Sequence, residues 1–133
     1  MREDRNRRPR PWRVKFRDAL RGTRRGIRRE SNFSIHLFAA ALVIAAGAIF
    51  EIGLVEWCLL LLAIALVLVT ELLNTSIELL VKTLNTRQDP QIGEALDIAA
   101  GAVLVASFGA ALVGGIIFVH RLGILLDWWT SVL

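Results

Sequence analysis

Three apolar runs, residues 33–50, 57–81 and 98–119, limit what this chain can fold into more than any other feature. A helix needs about 17–25 predominantly apolar residues to cross a hydrocarbon core, and each run reaches or exceeds that length. The third run carries no charge at all. Composition agrees: 55% of the residues are hydrophobic, against about 45–50% in soluble proteins, and 133 residues leave room for one domain. The expected fold is an all-α membrane protein with three transmembrane helices, near residues 33–50, 57–83 and 92–119, preceded by an amphipathic surface helix over 12–29. Residues 1–11, charged and proline-bearing, read as a disordered basic tail.

The net charge of +4 conceals an asymmetry, because thirteen of the sixteen Lys and Arg lie between residues 2 and 29. Hydrophobic spans follow that basic region directly, so it reads as an orientation signal and not as a nucleic-acid arm. The positive-inside rule puts the N-terminus and the 82–89 connection in the cytoplasm and the 51–56 turn outside. Arg121 is then the one basic residue on the far side. A cleaved signal peptide is the competing reading of the first run, but the basic region is too long, the apolar run exceeds a 7–15-residue signal core, and further spans follow.

Within 12–29, Trp12, Phe16, Ala19, Leu20, Thr23 and Ile27 recur at helical spacing with arginines between them. Such a helix lies in a membrane surface with its arginines facing anionic headgroups, and the same arginines are placed to meet nucleotide phosphates. Asp89 followed by Pro90 has the form of a helix start, and Glu94 and Asp97 fall in the first two turns beyond it. The small residues of 99–102, with Gly109, Gly114 and Gly115, allow neighbouring helices close approach. Three helices make a thin bundle, which points to an oligomer. Cys58, the single cysteine, reads as a packing residue, as does His36.

The segment ELLNTSIELLVK, residues 71–82, breaks the apolar character of the second run. At 100° per residue, Glu71, Asn74, Glu78 and Lys82 fall within a wedge of roughly 60–80°. An ionised side chain at a bilayer centre costs on the order of 2.5–3.5 kcal/mol on insertion scales, so a stripe of this kind calls for a compensating role. Glu71 is the deeper carboxylate, suited to a lipid headgroup, and Glu78 the shallower one, suited to something soluble. Glu30 precedes the first run and so sits at the same cytoplasmic face, with Asp97 nearby. Carboxylates gathered there suit a hard divalent cation such as Mg²⁺, which is held by one or two carboxylates plus substrate phosphates. Interhelical polar contacts and an ion or proton path are the other readings of such a stripe. The apolar stretch 57–69 argues against a path, which needs polar residues along the whole span.

The segment ELLNTSIE with DIAAGAVL downstream, and KFRDALRG and ESNFSIHL upstream, resembles the prokaryotic diacylglycerol kinase and undecaprenol kinase family over about residues 15–119. The resemblance implies a small homotrimeric enzyme of the bacterial inner membrane that moves the γ-phosphoryl of MgATP to a lipid alcohol. Diacylglycerol is the first acceptor it suggests and undecaprenol the second. It assigns Glu71 as general base at the lipid hydroxyl, Asn74 as the active-site asparagine, Glu30 and Glu78 as metal and ATP-phosphate carboxylates, and Asp97 as the nucleotide-side aspartate.

Two positions depart from the family pattern: Lys82 stands where Asp is usual, and Leu96 where Lys is usual. Lys82, one turn from Glu78, is a candidate to supply the displaced positive charge to ATP. These departures also support a second class of function, a degenerate kinase that binds nucleotide or lipid without turnover. No phosphate-cradling G-x-x-x-x-G-K-[ST] loop is present.

Overall fold

The computed structural model describes residues 11–29, 31–84 and 89–126, with the side chains of residues 29, 31 and 32 left aside. Residues 1–10 of the expected tail, Glu30 and Arg87 lie outside the described residues. Four helices follow one another: α1 (Trp12–Arg29), α2 (Ser31–Ile49), α3 (Leu54–Leu84) and α4 (Pro90–Leu125). There is no strand among the described residues. α3 and α4 are each long and apolar enough to cross a membrane, while α1 and α2 satisfy that test only as a pair whose axes meet at 97°. The chain is therefore a membrane protein with two to three candidate spans.

α1 presents an apolar face that none of the described residues covers. Trp12, Phe16 and Leu20 are mostly exposed, and the Trp12 and Phe16 rings sit 5.8 Å apart, one turn from each other. Its C-terminal end is docked: a Cβ on Gly26 would come within 2.7 Å of the Leu72 Cδ2, so glycine there lets α1 close on α3.

α2 ends in a hydrogen-bonded reversal. The Ile52 N–H donates to the Gly47 carbonyl and the Glu51 N–H to the Ala48 carbonyl, a Schellman closure with Glu51 in the left-handed region at φ 49°. Glycine is the residue that adopts this φ without steric cost. Gly47 has a further reason to lack a side chain, since a Cβ would meet the Trp57 ring at 2.9 Å and the Ile52 Cδ1 at 3.0 Å. Glu51→Gly is expected to stabilise the fold by about 0.5–1 kcal/mol, the left-handed strain relieved less the added chain entropy. A higher thermal unfolding midpoint in detergent would register it.

α3 and α4 form the main antiparallel pair. Ile52, Leu60 and Ile117 make a buried cluster, and the Phe50 and Phe118 rings pack beside it at 5.7 Å. Lipid tails are as apolar as leucine, so burial alone does not drive such helices together, and close packing and polar links must do so. Glu56 supplies the link at the end of the pair next to the α2–α3 turn. Its Oε2 accepts from the Gly53 N–H at 2.6 Å, capping α3, and from both the Nε (2.8 Å) and Nη2 of Arg121 on α4.

This pair explains why both helices outrun the apolar stretches that announce them. α3 starts at Leu54 because Glu56 caps it, and α4 continues past residue 119 to Leu125 because Arg121 is neutralised. The small residues behave less uniformly than their sequence suggests. Ala99, Ala106 and Gly114 are buried, whereas the space around Gly101, Gly109 and Gly115 is open. Cys58 is exposed and not a packing residue within the chain.

Candidate functional site

The polar stripe read from residues 71–82 forms on one continuous helix, α3, and its members differ sharply in environment. Glu71 is 3% exposed and Thr75 5%. They belong to the same buried stripe as Leu60, Val67 and Val81. One turn further, the Asn74 Nδ2 donates to the Glu78 Oε1 at 3.1 Å, and the Lys82 Nζ lies 3.4 Å from the Glu78 Oε2. The i, i+4 spacing brings these groups together on the helix surface. The Lys82 and Glu78 side chains are 39% and 33% exposed. The stripe thus runs from a buried carboxylate to a partly exposed ion pair in three turns.

Asn74 can serve a carboxylate only through its NH₂, because an ionised carboxylate accepts and never donates. That fixes its amide orientation and leaves its Oδ1 buried with no partner among the described residues. Thr75 is the residue that motif reasoning missed. Hydroxyls on membrane helices usually bond back to a carbonyl one turn earlier. Thr70, Ser76 and Thr83 do so, to Leu66, Leu72 and Leu79. The Thr75 Oγ1 does not, and is buried without a partner among the described residues.

An unsatisfied buried polar group costs about 1–3 kcal/mol. Here two of them and a buried carboxylate share one turn, an arrangement suited to receiving a polar group that the chain itself does not supply. The sequence signal for Thr75 was present, since it lies i+4 from Glu71.

The opposing helix begins as its sequence predicts. Asp89 caps α4, its side chain accepting from the Gln91 N–H at 2.9 Å, with Pro90 in the first turn. Leu60 meets the Gly114 position and Glu56 meets Arg121. Continued along the antiparallel pair, that register sets Asp97 at the level of Glu78. Asp97 and Glu94 are exposed, Ala99 is buried, and Leu96 is half-buried. Leu96, three residues before Ala99, continues the stripe packed on α3, which accounts physically for an apolar residue there.

Glu30 lies outside the described residues, so the Glu30–Glu78 pairing is untouched by the geometry. No group of three His, Cys, Asp or Glu able to hold a metal occurs among the described residues. The donor chemistry nonetheless fits a divalent cation shared with phosphate. Glu78 offers a partly exposed carboxylate, and Mg²⁺ commonly takes one or two carboxylates and fills its remaining positions with water and substrate oxygens.

Comparison with known proteins matches this sequence to one family. The family model described as prokaryotic diacylglycerol kinase matches residues 17–118, which contain the whole stripe and Asp97. The undecaprenol kinase of Bacillus subtilis is 36% identical over 107 residues, covering 80% of this chain and 87% of the relative. The diacylglycerol kinase of Synechocystis sp. is 36% identical over 103 residues, 77% of this chain, and the match spans 59% of that relative's length. No solved structure matches the chain at a significant level. With a buried Glu71, a partly exposed Glu78 and a family match over most of its length, the chain belongs to the prokaryotic diacylglycerol kinase family.

Proposed function

We propose that the protein is an integral membrane lipid kinase that transfers the γ-phosphoryl of MgATP to diacylglycerol, giving phosphatidic acid. The observation that carries this reading is the stripe itself: a buried carboxylate, Glu71, and, two turns on, a carboxylate one-third exposed, Glu78, which supports one group for the lipid and one for the nucleotide. Phosphoryl transfer demands positioning, neutralisation of phosphate charge, and a group that takes the hydroxyl proton. Glu71 takes the proton, and the Asn74 Oδ1 and Thr75 hydroxyl orient the acceptor beside it. Glu78, with Glu30, would hold Mg²⁺, and Asp97 and Lys82 flank the nucleotide. The chemistry Mg²⁺ supplies when bound is neutralisation of charge on the phosphate oxygens.

The assembly proposed is a homotrimer in the bacterial inner membrane, with three spans per chain, α1 on the surface and the N-terminus in the cytoplasm. The uncovered apolar face of α1 and the open sides of Gly101, Gly109 and Gly115 support it. Undecaprenol is the second acceptor, favoured by the Bacillus subtilis relative, whose length the match nearly covers. Purified protein in detergent with labelled ATP, Mg²⁺ and separate diacylglycerol and undecaprenol micelles tests the reading. Absence of label in either lipid would reject it.

Thr75→Val keeps the shape of the side chain and removes its hydroxyl. The expected result is a loss of kcat/KM for the lipid of about two- to tenfold, the worth of one hydrogen bond, with the thermal midpoint unchanged or raised. An unaltered kcat/KM would remove Thr75 from the site.

A further inference from the structure

A cavity of about 380 Å³ lies between α2, α3 and α4. Ala40, Val43, Ala63, Ala110, Gly114 and Phe118 give it an apolar wall. Val67 also lines it, one turn from Glu71 on the same face of α3. Its other α3 residues run from Leu68 back to Leu60. The cavity therefore starts within a turn of the buried carboxylate and leads into the membrane interior.

Two polar side chains interrupt this wall, His36 of α2 and Ser107 of α4. The Ser107 Oγ is buried and has no hydrogen-bond partner among the described residues; unlike Thr70, Ser76 and Thr83, it does not bond back along its own helix. The His36 ring makes no hydrogen bond among the described residues, and a neutral imidazole always carries one N–H to give. Two donors without acceptors thus face an apolar slot at its carboxylate end.

We propose that this cavity binds one acyl chain of a diacylglycerol, with Ser107 and His36 donating to the ester carbonyl next to the reacting hydroxyl. The proposal rests on the lipid-kinase reading above and names how that site selects its acceptor. In a diacylglycerol the ester sits on the carbon adjacent to the one bearing the hydroxyl. With the hydroxyl at Glu71, the carbonyl falls within the next turn, where His36 and Ser107 are. A prenol carries a single oxygen, its hydroxyl, and would leave both donors unmatched. Specificity of this kind is strong because a buried donor left unpaired is penalised whenever the wrong ligand binds.

Kinetics on an ester and an ether lipid of equal chain length isolate the carbonyl. Ser107→Ala is expected to reduce the ratio of kcat/KM for the diacylglycerol over the dialkylglycerol ether by about two- to tenfold. Ala110→Leu fills the slot and is expected to raise KM for a long-chain diacylglycerol more than for a short-chain one. An ester-to-ether ratio unchanged in Ser107→Ala overturns the carbonyl contact. Equal losses on long and short chains in Ala110→Leu, with altered crosslinking between subunits, overturn the acyl slot and mark the cavity as the seat of a second copy's helix.

A readout independent of turnover uses a diacylglycerol with a photoactivatable diazirine near its ester, without ATP. Labelling of α2 and α4 peptides that line the cavity, diminished by Ala110→Leu, supports the site, and labelling confined elsewhere overturns it. Should the wild-type protein phosphorylate no lipid, the kinase reading fails while photolabelling still decides the cavity.

Discussion

Glu71→Gln is expected to lower kcat by about 10²- to 10⁴-fold, the usual worth of a general base, while MgATP binding persists. The substitution is nearly isosteric and lies in a helix interior where Glu71 is 3% exposed and makes no hydrogen bond among the described residues. Removing the carboxylate therefore breaks no link that holds α3, and exchanging a buried ionisable group for a neutral amide leaves the bundle as stable or more so. That combination, a large kinetic loss with no loss of thermal stability, distinguishes a base from a structural carboxylate. Nucleotide affinity measured on the same variant separates the lipid-side role from the metal-side role. Retention of more than about a tenth of the wild-type rate would sink the assignment of Glu71 as base.

The fold was legible where hydrophobic length and local chemistry agree. Helix α4 begins at Pro90 because Asp89 caps it, and both signals stand in the sequence. The spacing of Glu71, Asn74, Glu78 and Lys82 gave their common face without any tertiary information, because all four lie on one helix. What the sequence concealed was pairing over long separations. Arg121 reads as a stray cation until Glu56, far earlier in the chain, is seen to accept from it. The same pair extends α3 and α4 beyond their apolar runs. Gly26 and Gly47 gave no signal of their own, since the Leu72 and Trp57 side chains that require them belong to α3.

Within the site, residue type was legible and hydrogen-bonding state was not. A motif identifies Asn74 as polar in a membrane helix, but only geometry shows its NH₂ spent on Glu78 and its oxygen left open. Thr75 and Ser107 are ordinary helix residues by composition, because a hydroxyl normally satisfies itself on its own backbone. Their failure to do so is a property of the folded chain. Leu96 likewise looked like a defect against the family pattern, whereas its half-buried place beside α3 gives it a packing role.

Glu78→Ala is expected to act on the nucleotide instead of on the acceptor, raising KM for MgATP by about ten- to a hundredfold, the range for losing a charged hydrogen-bond partner. The fold should tolerate the change. Glu78 is one-third exposed, and its 3.4 Å pair with Lys82 is an i, i+4 surface pair, a class worth about 0.3–0.5 kcal/mol. Lys82→Ala sharpens the test, because the lysine has two readings that predict different kinetics. If its ammonium meets ATP phosphate, its loss raises KM for MgATP in the wild-type background. If it only anchors the helix end and screens Glu78, the loss leaves KM unchanged. Combining the two substitutions gives the coupling, which should depart from additivity when both side chains contact one nucleotide. An unchanged KM in Glu78→Ala would withdraw the metal and phosphate role from the stripe and leave Glu71 alone as its functional carboxylate.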